Sequence, residues 1–307
     1  MMESATAKGG LEGFGAEARP TFLAHVRDYI ALTKPRIISL LLVTTAATMV
    51  VASPDALALS TVLWTMLGGY LAAGGAGAIN HYLDRERDAR MARTSTRPLV
   101  SGRIEPIHGL VFGILLGVLA FAQLALTVNL LSALLAMAGL LGYVFVYTMW
   151  LKPLTPQNIV IGGAAGAVPP LVGWAAATGG LTLDALYPFA IVFMWTPPHF
   201  WALSLLIKDD YARTGVPMLP VVRGEETTRR YIAIYAVALV ALTVAPFLTG
   251  LFGAIYLAAA ILLGGVFLAL AARLAVSPSR LAALRLYLSS LAYLALLFGA
   301  MAVDRAL

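Results

Sequence analysis

The chain has 307 residues, of which 60% are hydrophobic and only 12% charged, and it carries a formal net charge of +6 and no cysteine. So large an apolar share excludes an ordinary soluble domain, because most of the apolar surface would remain exposed to water. The absence of cysteine excludes thiolate metal sites and cysteine nucleophiles.

The N-terminal segment contains Glu3, Glu12 and Glu17 and no long apolar run. These features match neither a signal peptide nor an Arg-rich transit peptide. We predict a disordered cytoplasmic tail over residues 1–30, followed by a single membrane domain over residues 31–307.

Long apolar stretches dominate the rest of the chain. A bilayer core of about 30 Å needs roughly 20 apolar residues per helix. Nine stretches fit, and they predict an all-α polytopic membrane protein with nine transmembrane helices. Their approximate ranges are 37–53, 56–79, 107–126, 129–150, 159–178, 185–206, 231–251, 254–272 and 283–303.

The basic residues are distributed on one side of these spans. Of the 21 lysines and arginines, 20 lie before the first span or in and beside alternate loops, and only Arg305 lies on the other side. Short cytoplasmic loops carry the excess of Lys and Arg, so the N-terminus is predicted to be cytoplasmic and the C-terminus outside. The positive charge therefore reflects membrane topology rather than nucleic-acid binding.

Two long inside loops, residues 80–106 and 207–230, concentrate the polar chemistry at one membrane face. In the first, Asn80, Asp84 and Asp88 recur every four residues, so on a helix they share one face. Mg²⁺ commonly takes one or two carboxylates together with waters and substrate phosphates, which suits such a row. The alternative is a solvated helix end that pairs internally with Arg85, Arg87 and Arg90.

The second loop places Lys208-Asp209-Asp210-Tyr211 at the equivalent end of the sixth span. Two acidic clusters beside one mouth could hold two Mg²⁺ ions over a diphosphate. The residues Arg93, Arg97 and Lys152 are candidates to grip phosphate oxygens. Topology alone also explains cytoplasmic arginines, and for Lys152 the two explanations are equally good.

An ionisable side chain, His199, lies inside the sixth span in the segment Trp195-Thr-Pro-Pro-His-Phe-Trp201. Buried ionisable groups in membrane helices indicate function. Alternatively, Pro197 and Pro198 break the helix, and His199 bonds a backbone carbonyl freed by the break. In the fifth span, small residues and prolines permit close helix approach or local breaks.

Several of these segments resemble the UbiA-type intramembrane prenyltransferases. The Pro-Pro-His-Phe-Trp and Lys-Asp-Asp-Tyr segments resemble one branch in particular, the protohaem IX farnesyltransferases or haem O synthases. The matching segments are Asn80 to Asp88, Arg93-Thr-x-x-Arg97-Pro-Leu, Thr155 to Gly163, Pro169 to Trp174, Trp195 to Trp201, and Lys208 to Pro220.

The resemblance implies nine helices around a central cavity capped by the two cytoplasmic loops, in a bacterial inner (cytoplasmic) membrane. It implies farnesyl diphosphate and haem b as substrates, Mg²⁺ as cofactor, and haem A synthase or cytochrome oxidase assembly as partners. The implied catalytic residues are Asp84, Asp88, Asp209 and Lys152. The implied metal ligands are Asn80, Asp84, Asp88 and Asp209. The implied substrate-binding residues are Asn80, Arg93, Arg97, Lys208, Asp210, Tyr211 and His199.

An allylic cation formed in such a cavity could be stabilised by Tyr143, Tyr147 or Trp195, and the sequence does not choose among them. The chain departs from the usual pattern at Pro153 and Arg87, and we expect neither residue to touch a proposed ligand. Two other functions fit less well: prenylation of an aromatic quinone precursor, and secondary transport, which would use ionisable residues near the midplane.

Overall fold

The computed structural model describes residues 21–307, which form α-helices joined by short connections. Within these residues, nine helices are long and apolar enough to cross a membrane, which confirms the all-α architecture with nine spans. The chain is therefore a multi-pass membrane protein. The first 20 residues of the predicted tail lie outside the described residues. The single domain over residues 31–307 and the orientation of the termini stay predictions.

The helices are named here in chain order. They are α1 Phe22–Thr33, α2 Pro35–Ala52, α3 Leu59–Ala89, α4 Pro106–Thr127, α5 Leu130–Leu141 with a π-helical continuation Gly142–Leu151, α6 Lys152–Leu154, α7 Asn158–Thr178, α8 Leu186–Leu206 after a 3₁₀ turn Leu183–Ala185, α9 Lys208–Thr214, α10 Leu219–Val222, α11 Gly224–Leu248, α12 Ala254–Val276 and α13 Arg280–Ala306.

Helix α1 corrects the predicted tail, because residues 22–30 are helical rather than disordered. The side chain of Thr21 accepts a hydrogen bond from the Ala24 N–H and caps the helix. Apolar residues such as Phe22 and Val26 are exposed, whereas Leu32 is buried. The segment is an amphipathic helix of 12 residues, too short to cross a bilayer core.

Each spanning helix packs against the next along the chain, and α13 returns to pack on α2, which closes a ring of contacts. Further contacts cross this ring, because α2 also packs on α7 and α13 on α8. Glycine permits the closest approaches: a Cβ on Gly75 of α3 would lie 2.7 Å from the carbonyl oxygen of Gly113 in α4. A Cβ on Gly173 of α7 would lie 2.4 Å from the carbonyl oxygen of Thr45 in α2. The close helix approach predicted for the fifth span is thereby confirmed.

The prolines inside α7 and α8 do not break these helices. Both run continuously through their Pro-Pro pairs, so the predicted break at Pro197 and Pro198 is wrong. Neighbouring helices satisfy part of the polar backbone, as where the Thr45 hydroxyl donates to the carbonyl of Pro169 at 3.3 Å. Packing within the ring thus holds helical geometry that proline alone disfavours.

The two long loops meet at one end of the ring. The segment 90–105 follows α3, and the short helices α9 and α10 follow α8. Met91 from the first loop and Tyr211 from the second belong to one buried apolar cluster, which also contains Tyr147. The two loops therefore pack together at this end, beside Tyr147.

Candidate active site

The side chains of Asn80, Asp84 and Asp88 on α3, here called the α3 ladder, are buried, with at most 5% of their surface exposed. The amide nitrogen of Asn80 donates to the Asp84 carboxylate at 2.8 Å, and to the Thr148 hydroxyl at 3.2 Å. This orientation directs the amide oxygen of Asn80 away from Asp84. The predicted shared face is therefore present, and it faces inward rather than toward solvent.

Two cations compensate the buried carboxylate of Asp84. Lys152 donates to it at 2.5 Å and Arg87 donates at 3.1 Å. The expectation that Arg87 touches no proposed ligand is wrong, because the two residues are one helical turn apart on α3. A carboxylate this deeply buried needs such partners, since an unpaired charge in an apolar interior is strongly disfavoured.

The third ladder residue, Asp88, pairs with Arg97 at 2.5 Å. The Thr94 hydroxyl donates to the backbone carbonyl of Asp88 at 2.9 Å, which folds the segment after α3 back over the helix end. The structure therefore brings Arg97 to the α3 ladder. Arg93 lies at the exposed surface, near enough to Tyr211 for its charge to act on that phenol.

The sequence analysis did not select Lys34, yet its ammonium donates to the amide oxygen of Asn80 at 2.6 Å. It joins α1 to α2 in the left-handed conformation, with φ of 58°, the one positive φ of a non-glycine residue in the stretch from Thr21 onward. Burial, together with the charges of Arg97 and Lys152, lowers the pKa of Lys34 to about 7, against the opposing effect of Asp84 and Asp88.

The π-helical segment Gly142–Leu151 positions the opposite wall of the site. Its hydrogen bonds join residues five apart, as where the Lys152 N–H donates to the carbonyl of Tyr147. Residues spaced four or five apart therefore share a face, and Tyr143, Thr148 and Lys152 do so. The rings of Tyr143 and Tyr147 lie with centroids 5.4 Å apart. Such segments occur frequently at functional sites.

The second acidic segment is only partly drawn into the site. Asp209 is exposed, whereas Asp210 is buried and accepts from Arg213. Lys208 pairs with Glu225 at 2.9 Å, away from the α3 ladder. Asp209 and Lys208 therefore stay predictions as a metal ligand and a substrate-binding residue.

Tyr211 packs beside the π-helical segment, in the cluster that contains Tyr147. Burial raises the pKa of Tyr211 to about 12; the negative charges of Asp84 and Asp210 also raise it, whereas Arg93 and Arg97 oppose the rise. The phenol is therefore a neutral hydrogen-bonding group.

The residue His199 lies on α8 and faces α13, not the α3 ladder. Its Nδ1 is 2.6 Å from the Ser290 hydroxyl, so the side chain does not bond a backbone carbonyl as the alternative required. Trp195 stacks against its ring. Sequence reasoning also passed over His81, which is buried and whose ring nitrogens have no hydrogen-bond partner within residues 21–307.

In residues 21–307, no three histidine, aspartate or glutamate side chains lie close enough to form a metal cluster by themselves. The α3 ladder offers one amide oxygen and two carboxylates, all hard oxygen donors on one face. Mg²⁺ needs few protein ligands when phosphates and waters complete its shell, so the donor set fits a divalent cation that arrives with a diphosphate.

Comparison with known proteins gives the family. The profile of the UbiA prenyltransferase family matches residues 41–298. The chain is 55% identical over 289 residues to a protoheme IX farnesyltransferase of Roseiflexus sp. (strain RS-1), covering 94% of this chain and 54% of that protein. It is 49% identical over 291 residues to a protoheme IX farnesyltransferase of Rippkaea orientalis, covering 94% of this chain and 90% of that protein. The chain spans about half the length of the first of these relatives.

Solved structures share the fold. A digeranylgeranylglyceryl phosphate synthase superposes with a TM-score of 0.76 at 18% identity, covering 92% of this chain and 99% of that one. A UbiA homologue from Archaeoglobus fulgidus, bound to DMAPP and Mg²⁺, superposes with a TM-score of 0.64 at 17% identity, covering 90% and 99%. The nine-helix fold and the match over most of its length show that the chain belongs to the UbiA prenyltransferase family.

Proposed function

We propose that this chain transfers a farnesyl group from farnesyl diphosphate to a vinyl group of haem b, which gives haem O, in a bacterial inner membrane. The observation that carries this proposal is the buried α3 ladder, whose oxygens face Lys34, Lys152 and Arg97. Clustered cations beside hard oxygen donors suit an anionic leaving group bound with a divalent cation. The acceptor is supported by the printed names of relatives 49% to 55% identical to this chain.

The metal that fits this site is Mg²⁺, with Asn80, Asp84 and Asp88 as its protein ligands. When bound, it neutralises charge on the diphosphate oxygens. The Archaeoglobus fulgidus structure with DMAPP and Mg²⁺ supports a metal-bound diphosphate in this fold. The basic side chains have a separate role. When the diphosphate enters, Lys152 and Arg97 must either release the carboxylates or bind the carboxylates and the diphosphate together.

The basic residues would act on the leaving group. Lys152 and Arg97 come from different segments, and Lys34 from a third, so each ladder residue accepts from a basic residue of a separate segment. Donors fixed in place before the reaction stabilise charge that develops as a bond breaks. The allylic carbon–oxygen bond would break with its electron pair leaving on the diphosphate, and these residues would hold the released anion.

The farnesyl cation would then be captured by the haem. The terminal vinyl carbon supplies the electron pair for the new carbon–carbon bond, and water adds to the neighbouring carbon with release of a proton. Tyr143 and Tyr147 lie beside Asp84, and their ring faces could stabilise the cation. The third candidate, Trp195, stacks on His199 instead. We therefore assign cation stabilisation to the two tyrosines.

The test incubates the purified full chain in liposomes with haem b, farnesyl diphosphate and Mg²⁺, and follows the pigment by mass spectrometry. A haem that has gained one farnesyl group and one hydroxyl group supports the proposal. Asp84→Asn should abolish the product, whereas Glu86→Gln, an exposed carboxylate on the same helix, should not. Release of pyrophosphate with an aromatic acid but not with haem would overturn the acceptor. No pyrophosphate release with either would overturn prenyl transfer.

A further inference from the structure

A constellation of aromatic and polar side chains joins α8 to α13 away from the α3 ladder. The imidazole of His199 stacks on Trp195, with centroids 4.1 Å apart and planes at 18°, and on Tyr287, at 4.9 Å and 29°. At these distances, Trp195 and Tyr287 cannot both stack on the same face of the imidazole. The imidazole is therefore held between Trp195 and Tyr287, and its plane is fixed.

The hydrogen bonds of Ser290 determine which ring nitrogen carries the proton. The Ser290 hydroxyl donates its single proton to the carbonyl of Tyr287 at 2.6 Å. It must therefore accept, not donate, at its 2.6 Å contact with Nδ1 of His199. The Trp195 indole N–H donates to the backbone carbonyl of Ser290 at 2.8 Å, which ties the same helical turn to α8. His199 is thereby held as the Nδ1–H tautomer.

This tautomer leaves the lone pair of Nε2 unused. Across residues 21–307, Nε2 makes no hydrogen bond, and His199 is not completely enclosed. With both ring faces covered and Nδ1 engaged, the Nε2 edge is the one polar position open to a ligand. A purely structural histidine would need the Ser290 bond and the stacking, but it would have no use for an oriented and vacant Nε2.

We infer that Nε2 of His199 is an axial ligand to the iron of the haem acceptor. The inference rests on the proposed function, and it names the contact that would recognise the acceptor. Neutral imidazole is a common ligand of haem iron, and ligating histidines almost always donate their other N–H to an oxygen, as His199 does to Ser290. An aromatic quinone precursor contains no metal and would leave this arrangement without a role.

The neighbourhood of His199 along α8 connects it to the end of the bundle where the two loops pack. The next residue, Phe200, packs against the cluster that contains Tyr147 and Tyr211. His199 lies seven residues before the end of α8 at Leu206, a rise of ~10 Å on an α-helix, and α9 with Tyr211 follows that end. His199 thus lies about two helical turns from the end of α8 that leads to Tyr211, and Ser290 is its positioning residue.

The experiment titrates haem b into the purified full chain in detergent, without farnesyl diphosphate, and records absorption and resonance Raman spectra. The wild type should show an iron–histidine stretch in the ferrous state, and His199→Ala should lose it. Ser290→Ala should keep the ligand but bind haem about 10- to 100-fold more weakly. His108→Ala changes an exposed histidine near the loop and should leave the spectra unchanged.

A second variant guards against a simple loss of folding. Added imidazole should restore a nitrogen-ligated spectrum to His199→Gly, because Trp195 and Tyr287 would still flank the space that the histidine ring occupied. The inference is overturned if the wild type shows no iron–histidine stretch, or if His199→Ala retains it. Farnesylated haem from the wild type in either case would leave the proposed function standing. Failure of the function itself would appear as a nitrogen-ligated haem that is never prenylated.

Discussion

The ammonium of Lys152 lies 2.5 Å from the carboxylate of Asp84, although 68 positions separate the two residues. The side chain of Lys152 is 14% exposed and that of Asp84 is 3% exposed. The pair joins the start of α6, directly after the π-helical segment, to α3, and so it links the two walls of the candidate site. Each residue is a proposed part of the chemistry and also the electrostatic partner that lets the other be buried.

This pairing predicts separate effects on stability and turnover. Asp84→Asn and Lys152→Met should each abolish prenyl transfer, and each should destabilise the fold by ~3–5 kcal/mol because a buried charge loses its partner. The double variant should recover part of the stability and none of the activity. Thermal unfolding in detergent and product assays measure the two quantities. A double variant no more stable than either single one would contradict the pairing.

Binding of metal and diphosphate should be interdependent. The α3 ladder offers few protein ligands, so Mg²⁺ alone should raise the melting temperature little, and diphosphate alone little in the presence of EDTA. Together, each at about 100 times its dissociation constant, they should stabilise the protein by ~2.7 kcal/mol or more. Calorimetry or thermal unfolding with pyrophosphate as the probe would check this. Full stabilisation by pyrophosphate in EDTA would argue that the basic residues bind the anion without metal.

The sequence predicts the spanning helices well because hydropathy reports directly on burial in a bilayer. It also predicts the α3 ladder, because residues four positions apart lie on the same face of a helix. The sequence does not predict Lys34, because the positive-inside rule accounts for any lysine near a cytoplasmic helix end. Its left-handed backbone and its bond to Asn80 come from the way α1 folds against α3.

Two further features depend on tertiary packing. The π-helical hydrogen-bond register of Gly142–Leu151 is not encoded by apolar periodicity, which α- and π-helical segments share over so short a length. Pro197 and Pro198 predict a broken α8 from local sterics, whereas packing against α7, α11 and α13 keeps the helix continuous. In both places local sequence underdetermines the backbone, and both lie beside proposed site residues.

Helix contact at Gly173 gives a test of the fold that is independent of the chemistry. Gly173→Ala would push a methyl group against the backbone of Thr45, which cannot rotate away as a side chain could. We expect a loss of ~1–3 kcal/mol in stability, as for other overpacked sites. Gly166→Ala lies on the same helix with nothing within 4 Å, and it should be neutral or slightly stabilising. Equal melting temperatures for the two variants would contradict the close approach of α2 and α7.

The pKa of Lys34 gives a prediction with a defined sign. Burial and the neighbouring Arg97 and Lys152 hold this pKa at about 7, below the usual value of 10.5. A lysine of this kind destabilises the fold most at low pH, where it is charged in both states. As pH rises from about 7 to 10.5, the folded protein releases a proton that the unfolded chain keeps, and this destabilisation disappears.

Lys34→Met should therefore stabilise the metal-free protein below about pH 7, and the gain should shrink as the pH approaches 10.5. Lys34→Arg keeps its charge over this range, so it should lack the rise in stability that the wild type shows. Both variants are followed by melting temperature against pH in EDTA. Lys34→Met should also bind pyrophosphate with Mg²⁺ more weakly, because one donor beside Asn80 is lost. A methionine variant less stable than the wild type at pH 6 would show that the Lys34–Asn80 bond outweighs the cost of burying the charge.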